Sequence, residues 1–212
     1  GVLFLDELAE VERRTLEVLR QPLESGTVHL GRARTSRIYP ARFQLVAAMN
    51  PCPCGYLGHP LQPCSCLPRA VTAYQGRVSG PLRDRLDLQL WVPPVEPEEL
   101  LPPRDGPPAR LTSAEARERV VRARRIQRIR LRSEGYACNA EIPSAALDRI
   151  AAVDSPSRRL LLQALRSLGL SARGLVRIRR VARTIADLEG KPDIGEEHIL
   201  EALAFRREKQ KG

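Results

Sequence analysis

Apolar and polar positions follow three successive patterns along this chain. The first pattern is unbroken: Val2-Leu3-Phe4-Leu5 runs straight into Asp6 and Glu7. A short all-apolar run suits a strand buried on both faces, as in a parallel sheet. Phe43 to Met49 predicts a second buried strand, ending at Asn50. Between them Leu8, Val11, Thr15, Leu16, Leu19 and Leu23 recur at helical spacing and predict a helix from Leu8 to Glu24, stopped by Ser25-Gly26. Thr27–Leu30 and Ser36–Tyr39 predict a hairpin turning through Gly31-Arg32-Ala33-Arg34. The second pattern is alternation: Leu86, Leu88, Leu90 and Val92 predict a third strand. The third is helical throughout. A long basic helix begins at Thr112 or Ser113, capped with Glu115 or Glu118, and reaches about Leu131. Further helices are expected at Ser144–Val153, Ser157–Leu168, Arg173–Leu188 and Gly195–Arg206. A stretch from Pro93 to Pro108 with seven prolines separates the two halves. The expected organisation is an α/β part over 1–95, a linker over 96–112 and an all-α part over 113–212.

Composition narrows the class. The 212 residues suffice for one large or two smaller domains. No apolar run is long enough to span a bilayer and no signal peptide is evident, so a cytoplasmic location without a membrane partner is expected. Net charge is +10 and uneven. Residues 1–108 carry 12 arginines and 12 acids; residues 109–212 carry 23 Lys/Arg against 13 acids. Between Ser25 and Leu82 there are six arginines and no acid. Such a balance favours nucleic acid or another polyanion as partner.

Several residues carry candidate chemistry. Ligands of parallel sheets sit beyond the carboxyl ends of the strands, where Asp6 and Glu7 stand. An aspartate there holds magnesium and a neighbouring glutamate polarises a water for attack on phosphorus, the Walker B pattern. A buried strand that simply ends in polar residues has the same sequence. Asn50, ending the next strand, suits orientation of the attacking water or contact with a γ-phosphate; it also suits a turn. Arg32, Arg34 and Arg37 project from the hairpin, either toward nucleic acid or into solvent. Cys52, Cys54, Cys64 and Cys66 form two Cys-x-Cys pairs on a Pro/Gly-rich loop, four thiolates for one tetrahedral zinc. Free thiols or a redox pair are the alternatives, and His59 inside the loop is a possible substitute ligand. Arg85 stands where an arginine reaches a phosphate on a neighbouring subunit, or pairs with Asp84 or Asp87. The phosphate-cradling loop G-x-x-x-x-G-K-[ST] is absent: the only lysines, Lys191, Lys209 and Lys211, follow none. The only methionine is Met49, so the chain is expected to be a fragment that binds ATP poorly by itself.

The ordered set Leu3-Phe4-Leu5-Asp6-Glu7, basic hairpin, Ala47-Ala48-Met49-Asn50-Pro51-Cys52-Pro53-Cys54-Gly55, second Cys-x-Cys, Gly80-Pro81-Leu82-Arg83-Asp84-Arg85-Leu86-Asp87 and helical region resembles the ComM/YifB family of magnesium-chelatase-like AAA+ ATPases. Leu170-Ser171-Ala172-Arg173 and Val181-Ala182-Arg183-Thr184-Ile185-Ala186-Asp187-Leu188 strengthen the likeness, which covers nearly the whole chain. The resemblance implies a fold: the latter part of a P-loop NTPase core with a zinc-type loop, followed by an all-α lid. It implies roles by position: Asp6 and Glu7 as Walker B on Mg²⁺ and ATP, Asn50 as sensor 1, Arg85 as arginine finger, Arg173 as sensor 2. It implies hexameric rings that remodel DNA, branched or single-stranded, during natural transformation, with the hairpin gripping DNA. The Walker A part and the family's N-terminal domain are not in these 212 residues. Two other readings stand beside this one: a magnesium-chelatase-type motor subunit, and a zinc-supported binding module without catalysis.

Overall fold

Val2–Leu5 forms strand β1 in a computed structural model that describes residues 1–32, 35–95 and 111–206. Arg34, the side chain of Arg32 and residues 96–110 of the expected linker lie outside the described residues, as do 207–212. The chain divides into two units, Gly1–Leu86 and Asp87–Gly212.

In the first unit a Leu8–Glu10 turn of 3₁₀ helix follows β1, then α1 (Arg13–Val18) and α2 (Arg20–Ser25). The single helix expected over Leu8–Glu24 is therefore broken. It breaks twice: Val11 and Glu12 are extended, at ψ 137° and 132°, and a second break falls at Leu19, where Pro22 lacks the N–H that would bond the Val18 carbonyl. The chain re-enters helix at Leu19, whose N–H bonds the Leu16 carbonyl at 3.2 Å. Gly26 ends α2 at φ 68°, and a Cβ there would crowd Arg42 Cγ at 3.0 Å. The hairpin follows as β2 (Thr27–Arg32) and β3 (Thr35–Pro40), longer than expected and antiparallel from Thr27↔Pro40 to Arg32↔Thr35. Then β4 (Gln44–Ala47) returns parallel to β1, in register from Val2↔Gln44 to Leu5↔Ala47. The cysteine loop leads into α3 (Pro68–Gln75) and α4 (Gly80–Arg83).

The core of this unit is small. Leu8, Leu16, Val78 and Leu82 are buried, with Leu5, Val11, Leu19, Leu23 and Ala47 packed against them. Only one face of the β1–β4 pair meets this core. Val2 and Phe4 on the other face are 68% and 60% exposed, so the expectation of a strand buried on both faces is corrected. An apolar run reports what a strand can bury, and a two-stranded sheet covers one side of it here.

The second unit is helical: α5 (Ser113–Leu131), α6 (Leu147–Ile150), α7 (Ser155–Leu168), α8 (Ala172–Glu189) and α9 (Glu196–Ala204). Thr112 caps α5 in a capping box with Glu115. Asp154 caps α7 through the Ser157 N–H and Ser171 caps α8 through the Gly174 N–H. The core runs from Leu131 and Ile142 through Leu161, Ile178 and Ile185 to Ile199 and Leu203. A buried polar knot ties it. Asp187, 1% exposed, accepts from Arg130 at 2.6 and 2.7 Å, from Asn139 at 2.8 Å and from Arg183 at 3.1 Å. Arg183 in turn donates to the Pro192 and Lys191 carbonyls, both at 2.6 Å. His198 is buried, its Nδ1 accepting the Gly195 N–H at 2.8 Å. The third strand expected over Leu86–Val92 does not form. Among the described residues this stretch has no ladder partner; Gln89 makes one backbone bond, to the Phe205 carbonyl, and Leu90 and Val92 are exposed. No helix of the described residues is long and apolar enough to cross a membrane.

Candidate functional site

Parallel pairing puts the carboxyl ends of β1 and β4 side by side. The Ala48 N–H donates to the Leu5 carbonyl at 3.0 Å, and the Leu8 N–H donates to the Ala48 carbonyl at 2.9 Å. These bonds extend the ladder past both strands and hold Asp6-Glu7 alongside Ala48-Met49-Asn50. Asp6, Glu7 and Asn50 are all exposed at this end. Glu7 sits at φ 49° and ψ 45°, the only non-glycine residue with positive φ among the described residues. The Asp6 Oδ1 accepts the Glu7 N–H at 2.9 Å and holds that turn. A left-handed glutamate stores about 1–3 kcal/mol of strain, and such strain concentrates at functional sites.

The two arginines differ in setting. Arg85 is buried: one guanidinium nitrogen donates to the Pro81 carbonyl at 2.7 Å and the other pairs with Glu24. Neither Asp84 nor Asp87, the partners expected for an ion pair, is the carboxylate on it. Arg173 is exposed in the first turn of α8, in the unit that does not contain Asp6, Glu7 and Asn50.

The four cysteines converge. Cys52, Cys54 and Cys64 have Sγ atoms 3.4, 3.5 and 3.6 Å apart, and all four Sγ atoms lie within 4.8 Å of one another. A tetrahedral zinc with Zn–S of ~2.3 Å separates its sulfurs by ~3.8 Å. The residues fit the ion. Gly55 at φ 84° makes the turn after Cys54, with its N–H on the Cys52 carbonyl at 3.0 Å. The Tyr56 backbone N–H bonded to Cys54 draws that thiol down to about 5. Against the Cys66 backbone N–H, which lowers it, burial and the neighbouring cysteine side chains push Cys64 up to about 12. A bound cation would supply the positive charge that favours the thiolate form across the cluster. His59 is not part of the cluster: its Nδ1 accepts the Leu61 and Gln62 N–H groups at 3.2 and 3.1 Å. Gln75 of α3 anchors the loop by donating to the Pro51 carbonyl at 3.0 Å.

On the hairpin Arg37 faces Leu30 across the ladder and is exposed. Tyr39, two residues on, shares its face. Arg32 ends β2 opposite Thr35.

Two family models divide the chain: magnesium chelatase, subunit ChlI, matches residues 1–100, and magnesium chelatase, subunit ChlI C-terminal, matches residues 110–206. The competence protein ComM of Haemophilus influenzae is 43% identical over 97% of the chain, and YifB of Escherichia coli K12 is 43% identical over 97%. This chain belongs to the ComM/YifB family. A Mycobacterium tuberculosis relative is 40% identical over 98%. The chain spans about two fifths of the length of these relatives: 39% of ComM and of YifB, and 40% of the mycobacterial protein. The resemblance carried by the motif order is therefore the family itself.

Sequence reasoning missed four functional or supporting contacts. Glu24 as partner of Arg85 lies 61 positions away, and no local pattern joins them. Gln75 beneath the cysteine loop and His59 as a turn former also had no sequence signal. The Asp187 knot had one: a carboxylate at the close of an otherwise apolar helical stripe.

Proposed function

We propose that this chain is part of an AAA+ ATPase of the ComM type, which couples hydrolysis of Mg–ATP to remodelling of DNA within a homo-oligomeric, hexameric ring. The observation that carries this reading is the juxtaposition of Asp6-Glu7 with Asn50 at adjacent carboxyl ends of two parallel strands, with Glu7 strained outward. Asp6 would hold the magnesium that accompanies the nucleotide, an ion that would supply positive charge for phosphoryl transfer. Glu7 takes the proton of the attacking water, and Asn50 orients that water. Arg85 reaches a neighbouring subunit's nucleotide after its guanidinium leaves Glu24, and Arg173 reads the γ-phosphate from the first turn of α8. Arg32, Arg34 and Arg37 meet DNA phosphates on the hairpin. Cys52, Cys54, Cys64 and Cys66 bind a structural zinc that braces the loop following Asn50. The name of the Haemophilus relative, competence protein ComM, supports a role in competence.

The test uses the longest reading frame that contains this chain, with ATP hydrolysis measured in the presence and absence of a four-way DNA junction. Junction-stimulated hydrolysis that disappears in Glu7→Gln supports the reading. Hydrolysis indifferent to DNA and raised by a porphyrin-binding partner shifts it to a chelatase-type motor, the function named in the description of the matching family. Metal analysis tests the cysteines independently: about one zinc per chain is expected, released in Cys64→Ser/Cys66→Ser.

A further inference from the structure

The outward face of α5 is a strongly charged surface that the reading above leaves unused. This helix of 19 residues holds seven arginines against two glutamates. Its inward stripe is Ala123, Gln127 and Leu131, all buried. Two arginines beside that stripe serve the fold: Arg124 donates to Gln127 at 3.3 Å and Arg130 is committed to Asp187. Glu115 is occupied by Thr112 in the capping box. The opposite face carries Arg122, Arg125 and Arg128, continued by Arg132 just past the helix, at steps of three and four residues, and all four are exposed. Among the described residues none of the four forms an ion pair.

A solvated helix face normally alternates acid and base at four-residue spacing, because opposite charges there stabilise and like charges destabilise. Here like charges stack on consecutive turns with Glu118 the only acid left uncommitted. We infer that this face is a second nucleic-acid contact, binding the phosphate backbone through Arg122, Arg125, Arg128 and Arg132. The inference rests on the DNA reading proposed above. Ten residues of helix span ~15 Å, and one strand of duplex offers a phosphate every ~3.4 Å, so four guanidinium groups match about four phosphates. Val120, Val121 and Ile129 are the exposed large apolar residues of this helix, and at about 100° per residue they are spread around its circumference. Three aliphatic side chains without an aromatic, so spread, do not make the continuous apolar face with which a helix enters a lipid surface.

The test measures binding of a fluorescent DNA duplex by the longest reading frame containing this chain, across a salt series. The variants are Arg125→Gln/Arg128→Gln/Arg132→Gln, the same three positions changed to Lys, the single Arg125→Gln, and Arg37→Ala on the hairpin; helix content is checked by circular dichroism. Each phosphate contact contributes about 0.9 to the logarithmic salt slope on duplex DNA. The triple Gln variant is expected to lose about 2.7 of that slope, the single variant about a third as much, and the Lys variant to keep it. An unchanged slope in the Gln variants, while Arg37→Ala weakens binding, overturns the inference and leaves the DNA reading standing. Absence of DNA binding by the unaltered protein overturns both. Loss of binding to vesicles containing anionic lipid in the triple variant, with DNA binding intact, assigns the face to a membrane surface and overturns the inference.

Discussion

At the scale of single residues, two acids show opposite uses of strain and burial. Glu7 is held in a conformation that costs a side-chain-bearing residue energy and a glycine almost none. Glu7→Gly is therefore expected to raise the stability of the first unit slightly, by about 1 kcal/mol, while ATP hydrolysis by the full reading frame is lost. Chemical denaturation beside a hydrolysis assay checks both halves; a fall in stability would show that Glu7 makes contacts worth more than its strain. Asp187 is the reverse case. It is buried under two arginines and an amide, so removing its charge strands Arg130 and Arg183 in the interior. Asp187→Asn is expected to destabilise the helical unit by about 3–5 kcal/mol, the usual cost of breaking a buried pair by one partner. A loss under about 1 kcal/mol would mean that water reaches the knot. Both residues stand in motifs visible in the sequence. Their environments were not visible, because φ at Glu7 and the convergence of Arg130, Asn139 and Asp187 depend on segments up to 57 positions apart.

At the scale of elements, periodicity gave existence and type while local chemistry set the ends. The helices beginning at Ser113, Ser155, Ala172 and Glu196 start within one or two residues of expectation because their caps are side chains in the sequence: Thr112, Asp154 and Ser171 for the first three. The helix expected from Leu8 was misjudged because its apolar stripe runs on through Val11-Glu12, where the backbone is extended, and through Pro22, which a continuous helix cannot carry. The Leu86–Val92 alternation was misjudged because a strand needs a neighbour, and neighbours are not local. The caps predict an acid response. The Ser157 side chain and backbone N–H hold the Asp154 carboxyl below the ordinary Asp value of 3.8. The Thr112 backbone and hydroxyl hold Glu115 below the ordinary Glu value of 4.5, and Arg149 does the same for Glu134. Carboxyls depressed in the folded state stabilise it above their unfolded values and lose that contribution as pH falls through the folded ones. The helical unit should therefore weaken as pH drops below the 3.8–4.5 window, and Asp154→Ala should flatten that dependence. Urea midpoints measured across this window check it; an unaltered slope in the variant would remove Asp154 as a contributor.

At the scale of the whole molecule, the two units have separate cores of unequal size. Four buried apolar side chains form the centre of Gly1–Leu86, against fourteen in the helical unit. A core that small leaves the loop between β4 and α3 dependent on more than apolar burial: besides the Gln75 anchor and the His59 turn, it has the four sulfurs, already at nearly zinc-spaced distances. Metal binding to such a loop is folding free energy for the unit that holds it. Chelation of zinc is therefore expected to lower the unfolding transition of the first unit by several degrees and to leave that of the helical unit in place. Asp187→Asn is expected to do the converse. Hydrogen exchange read separately over residues 1–86 and 111–206 distinguishes the two, since each amide reports the opening of its own unit. Chelation that weakens protection equally in both ranges would show that the cysteine loop supports the molecule as a whole. Chelation that changes neither would mean that the cysteines contribute no stability as a metal site.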